Sequence, residues 1–414
     1  HFCCIIINLA FSFCVYFNIV ISICLYILLW ICAPAISRFF SESLLIPVIR
    51  VLGLVLIINS CSIIQRTVLV RNIDFKTQTK VSLIASLVSG GVGITMALYH
   101  CGVWSLVGQQ LSRQFFNSVL LWIYGKWRPL WEFSYKSFKD LFGFGSKLLL
   151  SGLIDVFYKN VYYIVIGRYY SATQLGQYTR AEQFSTIFSS NLTSVVQRVS
   201  YPVLSSIQEE PERLRDAYRK IIKVTMLITF ALMFGLAAIA KPLIVILIGE
   251  KWLMAVPFLQ IICFSEMLYP LHAINLNILQ VRGYSGLFLK LEIVKKIIAV
   301  IPIMIGIFWG INYMLWGAVC ISLVSYILNS YYSGRLIDYS TVKQVKDIFP
   351  CFLVSSLVAL LMWGITFLHF NFLVTLLLQV SVGILLAIVA YERMRLEEYK
   401  EIRRIILSII RKNS

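Results

Sequence analysis

Trp104-Ser-Leu-Val107 returns about 210 residues later as Trp316-Gly-Ala-Val319, each time at the head of an apolar stretch. Three further pairs keep the same order and nearly the same offset: Ala33-Pro34 with Ala240-Lys-Pro242, Pro47 and Arg50 with Pro257 and Gln260, and Val70-Arg71 with Val281-Arg282. The offset creeps slightly along the chain, as single-residue insertions would make it. Four anchors in one order, each at the same place relative to an apolar helix, predict two structurally equivalent halves. In membranes that is the common architecture of an alternating-access carrier.

Composition sets the solvent around those halves. With 59% hydrophobic residues, 14% charged residues and a mean hydropathy of +0.82, the chain excludes a water-soluble globule, which would carry roughly 25% charge. It reads as an all-α polytopic membrane protein. Runs of ~20 apolar residues, enough to cross ~30 Å of hydrocarbon as helix, fall at Leu9 to Ile36 (run A), Leu44 to Leu69 (B), Val81 to Tyr99 (C), Val103 to Tyr124 (D), Leu141 to Ile166 (E), Gln174 to Tyr201 (F), Ile221 to Ile239 (G), Leu253 to Leu279 (H), Leu287 to Trp309 (I), Tyr313 to Tyr332 (J), Phe349 to Phe367 (K) and Phe372 to Ala390 (L). Twelve transmembrane helices are expected, with no room for a soluble domain.

Basic residues orient them. Arg66, Arg71, Lys76 and Lys80 follow B, Lys126, Arg128, Lys136 and Lys139 follow D, Arg213 to Lys223 follow F, Arg282 and Lys290 follow H, Arg335, Lys343 and Lys346 follow J, and Arg393 onward follows L. The intervening connections nearly lack charge, so the positive-inside rule places both ends of the chain in the cytoplasm. The formal net charge of +18 is then mostly topology. Spread over six short connections, it makes no face for nucleic acid.

Runs A to D pair with G to J in the repeat, whereas counterparts of E and F would precede His1. The chain opens on His and is already apolar at Cys3 to Ile7, so the expectation is an N-terminal truncation lacking two helices of fourteen. The expected domains are an N-lobe remainder over 1–125, an inter-lobe linker over 126–139, a C-lobe over 140–336, two extra helices within 346–392 and a tail over 393–414. In that tail Ile402, Ile405, Ile406, Ile409 and Ile410 alternate with basic residues, as in an amphipathic helix lying on anionic lipid.

Seven of the ten cysteines fall inside apolar runs without a C-x-x-C, and read as buried thiols. His1, His100, His272 and His369 share no metal-ligand spacing, and no phosphate-binding G-x-x-x-x-G-K-[ST] occurs. No metal, cofactor or ATP engine is expected. The driving force is then an ion gradient (H⁺ or Na⁺), the substrate gradient, or a partner.

A set of motifs in one order carries a family resemblance. Trp104-Ser-Leu-Val-Gly-Gln-Gln-Leu111, Trp127-Arg-Pro129, Phe144-Gly145, Ile166-Gly-Arg168, Leu175-Gly-Gln-Tyr-Thr-Arg-Ala181, Tyr201-Pro-Val-Leu-Ser205, and Leu247-Ile-Gly-Glu-Lys-Trp252 with Ala255-Val-Pro257 resemble the Wzx-type polysaccharide and O-antigen flippases of the multidrug/oligosaccharidyl-lipid/polysaccharide superfamily, in the colanic-acid and teichuronic-acid exporter branch. The resemblance covers nearly the whole chain. It implies a two-lobe helical bundle about a central cavity, followed by two extra helices, here K and L. It also implies the cargo, an oligosaccharide on undecaprenyl diphosphate moved across a bacterial plasma membrane for surface polysaccharide synthesis. Partners so implied are the lipid-linked oligosaccharide, membrane lipids, and the polymerase and glycosyltransferases of the pathway.

Polar residues inside the runs nominate the site, because a mid-bilayer charge costs roughly 2.5–3.5 kcal/mol on insertion scales. Counting ~1.5 Å per residue puts Arg50, Lys159 and Arg180 at one depth in the outer half. Arg113, Asp155, Glu266 and Lys295 or Lys296 come out near the midplane. Arg180, Gln183, Asn191, Ser194 and Arg198 recur along F at the spacing of one helical face, and D repeats this with Gln110, Arg113 and Asn117. The expected diphosphate site is Arg113, Lys159, Arg180, Arg50 and Arg198, lined by Gln110, Asn117, Gln183 and Asn191. Glu266 is the expected ion-coupling carboxylate, and Asp155 a salt-bridge partner of Lys159 four residues on. Blander readings stand beside these: Arg50 and Arg168 could snorkel to headgroups, and Lys295 or Lys296 could rivet Glu292. A drug exporter of cations would want a carboxylate-lined cavity, and a membrane glycan polymerase a sizeable outer loop. The cationic excess and the short outer connections favour the flippase over both.

Overall fold

Sequence periodicity becomes helix almost everywhere in the computed structural model, which describes residues 2–71, 74–125, 128, 153, 156–158, 160–394 and 399, with side chains described from Val15 onward except at 285. Among these there is no strand. The helices are α1 (Phe2–Phe40), α2 (Leu45–Leu52), α3 (Leu54–Arg71), α4 (Phe75–Leu98), α5 (Val103–Tyr124), α6 (160–169), α7 (Ala172–Ser206), α8 (Pro211–Ile248), α9 (Ala255–Glu266), α10 (Tyr269–Val281), α11 (Ser285–Ile298), α12 (Val300–Trp309), α13 (Ile311–Leu336), α14 (Thr341–Gly364) and α15 (Phe372–Arg393). Local chemistry starts several of them. The Asp74 side chain accepts from Thr77 N at 3.1 Å, Ser171 and Gln174 form a reciprocal capping box, and Pro211 opens α8 where its missing N–H costs nothing.

Runs H and I were expected as single spans, and each is two helices. Proline supplies the reason. The N–H that would bond the Glu266 carbonyl belongs to Pro270, and the one that would bond Ile298 belongs to Pro302, and neither exists. Accordingly α9 ends at Glu266 and α11 at Ile298.

Seven segments among the described residues are long and apolar enough to cross a membrane: Val15–Phe40, Leu45–Arg71, Phe75–Leu98, Pro211–Ile248, Ile311–Leu336, Thr341–Leu368 and Phe372–Arg393. The remaining expected spans are α5 and α7, which carry Arg, Gln and Asn along their length, the interrupted runs H and I, and run E, most of which lies outside the described residues. Large apolar side chains point outward along the spans, Leu87 at 76% exposure and Leu385 at 62%. No water-soluble surface tolerates such continuous apolar cover, and a bilayer requires it. The chain is a multi-pass membrane protein.

Two compact units form, His1–Lys159 and Asn160–Ser414. Within the first, α1 packs on α2 and α3, α4 on α5, and α3 on α5. Within the second, α8 packs on α9, α12 on α13, and both α9 and α10 on α13. The pairing pattern is the same once α1, α2–α3, α4 and α5 are matched to α8, α9–α10, α11–α12 and α13, which is the correspondence the sequence repeat sets up. The matched hairpins even share a device. A Cβ on Gly108 would lie 2.3 Å from Met96 Sδ in the α4–α5 hairpin, and one on Gly306 would lie 2.7 Å from Met314 Cβ in the α12–α13 hairpin. Glycine there lets the helices approach more closely than any side chain permits.

The C-terminal helices α14 and α15 lie on α8 and are fastened to it. Near the Pro211 end of α8, the Arg219 guanidinium donates to both oxygens of Asp347 on α14, at 2.5 and 2.7 Å, and the Tyr339 hydroxyl donates to Asp347 Oδ2 at 2.6 Å. Beside this clamp the fully buried Asn275 of α10 accepts through Oδ1 from Tyr218 of α8 (2.8 Å), Ser333 of α13 (2.5 Å) and Gln344 of α14 (3.4 Å). One amide therefore ties four helices.

Candidate functional site

In the first unit, the polar residues of α5 divide by face. Gln110 and Arg113 are exposed, Arg113 with no hydrogen-bond or ion-pair partner among the described residues, while Asn117 is buried. One residue on from Arg113, Gln114 donates to Asn59 Oδ1 of α3 at 2.7 Å, which fixes the rotation of α5 against α3. Arg50 of α2 lies with its guanidinium 4.5 Å from the Trp30 ring centroid of α1, and its buried Nε has no hydrogen-bond partner. A guanidinium held on an indole face keeps its charge and its outer N–H groups available for an anion. Lys159 and Asp155 lie outside the described residues, as do the linker apart from Arg128 and nearly all of the tail.

In the second unit, α7 carries two polar faces. About 100° of rotation per residue puts Arg180, Gln183, Asn191, Ser194 and Arg198 on one side, where all but the half-buried Ser194 are exposed. Arg180 donates to Gln183 Oε1 at 2.8 Å and sits 5.5 Å from the Trp252 ring centroid, while Asn191 spends its amide on the Ile187 carbonyl. Arg198 has no ion-pair partner among the described residues. The opposite face packs on α9 and α10 and holds Tyr178, Glu182, Ser185, Ser189 and Thr193. Glu266, the last residue of α9, accepts a hydrogen bond from Ser189 Oγ at 2.5 Å.

Sequence reasoning passed over Glu182, which is half-buried and accepts from the Tyr163 hydroxyl. Its signal was present as a second stripe on run F at three- and four-residue spacing, behind the cationic one. Lys295 pairs with Glu292, the rivet set out above as one alternative. His272, on α10, meets Ser322 Oγ through Nε2 at 3.2 Å, and Ser322 in turn donates to the Ser265 carbonyl at 3.0 Å, where the break before Pro270 interrupts the helical ladder.

Chemically, an exposed row of guanidinium and amide groups on a membrane helix offers charge-assisted and neutral donors for phosphate and sugar oxygens. Glu182 sits on the other side of the same helix, and Glu266 of α9 meets that side through Ser189, away from that row.

The model of the family described as "Polysaccharide biosynthesis protein" matches residues 7–257. The teichuronic acid biosynthesis protein TuaB of Bacillus subtilis is 25% identical over 362 residues, covering 86% of this chain and 75% of that protein. The lipopolysaccharide biosynthesis protein WzxC of Escherichia coli is 24% identical over 269 residues, 63% of this chain and 54% of its own. Agl15 of Haloferax volcanii, described as a probable low-salt glycan biosynthesis flippase, is 21% identical over 66% of this chain and 59% of its own. Among solved structures, the inward closed conformation of the lipid II flippase MurJ superposes with a TM-score of 0.74 at 13% identity, over 94% of this chain and 85% of that one. At that identity the likeness establishes a shared helical fold.

Proposed function

The chain belongs to the polysaccharide biosynthesis protein family, and from that membership we propose that it is a flippase, a transporter with no catalytic chemistry of its own. Its cargo is an oligosaccharide unit on undecaprenyl diphosphate, carried by alternating access across a bacterial plasma membrane, with both chain ends cytoplasmic. Arg113, Arg180, Arg198 and Arg50, with Lys159, take the diphosphate. Gln110, Gln183 and Asn191 contact the sugars, whereas Asn117, expected to line the cavity, is buried on another face of α5, and Glu266 couples transport to an ion.

One observation carries this reading. The exposed face of α7 bears Arg180, Gln183, Asn191 and Arg198 with no carboxylate on it, in a protein with seven long apolar spans among its described residues. Cations placed there without acidic partners cost insertion energy, and an anionic headgroup is the ligand that returns it. Arginine suits the task because its planar fork donates paired hydrogen bonds to phosphate oxygens and stays charged at any depth. A carrier of cationic drugs would need acids on that face, and they lie on the opposite one. The names of TuaB, WzxC and Agl15 support the same class of cargo.

The test is transfer of a fluorescent or radiolabelled undecaprenyl-diphosphate glycan across proteoliposomes. Arg113→Gln and Arg180→Gln are expected to abolish transfer at normal protein levels, Arg→Lys to retain part of it, and Lys241→Gln, at an exposed helix position, to leave it intact. Full transfer by both Arg→Gln variants would show that these charges only hold helices together.

A further inference from the structure

An apolar cleft opens between α13 and α14, with α8 and α9 beneath it. Its larger chamber, about 590 Å³, is lined by Phe234 and Ala237 of α8, Gln260 of α9, Trp316 of α13, and Ser356 and Trp363 of α14. A second chamber of about 290 Å³ continues from it toward Tyr326 and Val345, and Phe264 and Phe352 line both. The Phe234 ring lies 5.7 Å from that of Phe264 and 5.2 Å from that of Phe352, so three packed rings frame the neck between the chambers. Past Tyr326 the cleft ends, because α13 and α14 meet there through a 2.9 Å hydrogen bond between the Ser330 and Thr341 hydroxyls.

This cleft is distinct from the hollow that α14 shares with α15. The hollow takes Ala231, Gly235 and Ile239 of α8, the cleft takes Phe234, Ala237 and Ala238, and at about 100° per residue these are different faces of the helix. Phe188 of α7 lines the hollow, whereas α7 and α15 give no residue to the cleft.

Size and chemistry select the occupant. Water needs several polar partners, and the polar side chains of the cleft are engaged: Gln260 donates to the Ala237 carbonyl at 3.2 Å and Ser356 to the Leu353 carbonyl at 2.9 Å. The larger chamber follows α14 from Phe352 to Trp363, about 16 Å at ~1.5 Å per residue, which leaves a mean cross-section of roughly 35–40 Å². A helix of ~10–12 Å diameter needs about 80 Å² or more, which excludes a partner that inserts a helix. A hydrocarbon chain, whose carbons pack about 4 Å apart, fits. One leaflet of a ~30 Å hydrocarbon core supplies ~15 Å of such chain, the length of the chamber. No Lys or Arg lines either chamber, so a diphosphate finds no counter-charge there. The indole N–H groups of Trp316 and Trp363, which have no acceptor among the described residues, are neutral donors suited to ester oxygens.

We propose that the cleft binds one diacyl phospholipid of the surrounding bilayer, with an acyl chain against Phe234, Phe264 and Phe352 and the ester groups at the Trp363 end. This goes beyond the carrier reading and stands independently of the cargo. Left empty, the rings around the neck would forfeit dispersion contacts on one side. The chain restores them and bridges α13 to α14. Bulk lipid competes poorly for the same contacts, because a preformed concave wall meets the chain on several sides and is already ordered. The Arg219–Asp347 clamp fastens α14 toward the closed end of the cleft, and the lipid fastens it toward the open end.

Native mass spectrometry of the full chain tests this. Protein stripped of lipid by repeated detergent washing is incubated with vesicles of phosphatidylethanolamine and phosphatidylglycerol, purified again, and its mass measured. One phospholipid per chain should be retained. Ala237→Phe and Ser356→Phe fill the larger chamber from α8 and from α14, and each should lower retention about ten-fold. Both are checked by elution and melting, and if one fails to fold the other carries the comparison. Leu357→Phe adds bulk at an exposed position beside Ser356 that does not line the cleft, and should leave retention unchanged. A chain that keeps no phospholipid, or filled variants that keep as much as wild type, would overturn the site. Displacement of the phospholipid by an equal concentration of undecaprenyl phosphate would overturn it in favour of the cargo's tail, and a dimer mass lost in the filled variants would overturn it in favour of a second copy.

Discussion

Asn275→Leu isolates the energetic weight of a single buried amide. The substitution keeps the number and branching of side-chain heavy atoms in a fully buried position and removes the acceptor shared by Tyr218, Ser333 and Gln344. Tyr218 and Ser333 keep only longer alternatives, to Ser333 Oγ and to the Ser330 carbonyl, each at 3.4 Å, whereas Gln344 retains its bond to the Tyr339 carbonyl at 3.3 Å. Interhelical hydrogen bonds in membrane proteins average about 0.6 kcal/mol and reach about 1.7, and a stranded buried donor adds to the loss. Three bonds at about 0.6–1 kcal/mol each sum to roughly 2–3 kcal/mol. For a folding unit of this size that is a drop of roughly 5–10 °C in melting temperature, readable by tryptophan fluorescence or size-exclusion survival in detergent. The cycle with Tyr218→Phe sharpens the test. Removing the stranded hydroxyl should make the double variant less destabilised than the sum of the singles, by about 1 kcal/mol. A melting temperature within about 2 °C of wild type, or strict additivity, would refute the claim that this amide ties α8, α10, α13 and α14.

Gly306→Val should cost about 1–3 kcal/mol by overpacking, since its new Cβ would meet Met314 Cβ at 2.7 Å and Cγ at 2.8 Å; melting of Gly306→Val with Met314→Ala should recover part of the loss. Asp347→Asn should cost at most about 1 kcal/mol, because the Arg219 side chain is 50% exposed, and the loss should fade as salt rises in a melting series. Trp30→Leu removes the ring under the Arg50 guanidinium; with little change in melting, it should weaken cargo transfer less than Arg50→Gln does in the proteoliposome assay.

Class and helix order were legible because they depend on run length and repeat, which are local and periodic. The shared pairing of the two units likewise follows from anchors such as Trp104 and Trp316. The helix breaks were written in Pro270 and Pro302, but a hydropathy run averages over a missing N–H, so runs H and I read as single spans. Glu182 escaped for a related reason: two stripes at the same spacing share one helix, and the arginines drew attention to only one. The Asn275 junction could not be seen at all, since Tyr218, Asn275, Ser333 and Gln344 acquire meaning only when four helices meet.

The division of α7 into two polar faces bears on how the protein reaches the bilayer. On the apparent insertion scale, charged residues at a helix centre cost about 2.5–3.5 kcal/mol each, and each Leu, Ile, Val or Phe returns about 0.3–0.6. With Arg180, Glu182 and Arg198 against its scattered apolar residues, α7 does not partition into lipid by itself. Its successor α8 does, and α7 packs along α8, α9 and α10. Insertion of α7 is therefore a cooperative event that waits for later helices to leave the translocon. A nascent chain arrested at Ser206 leaves α7 outside the hydrocarbon, and one extended to Val281 draws it in.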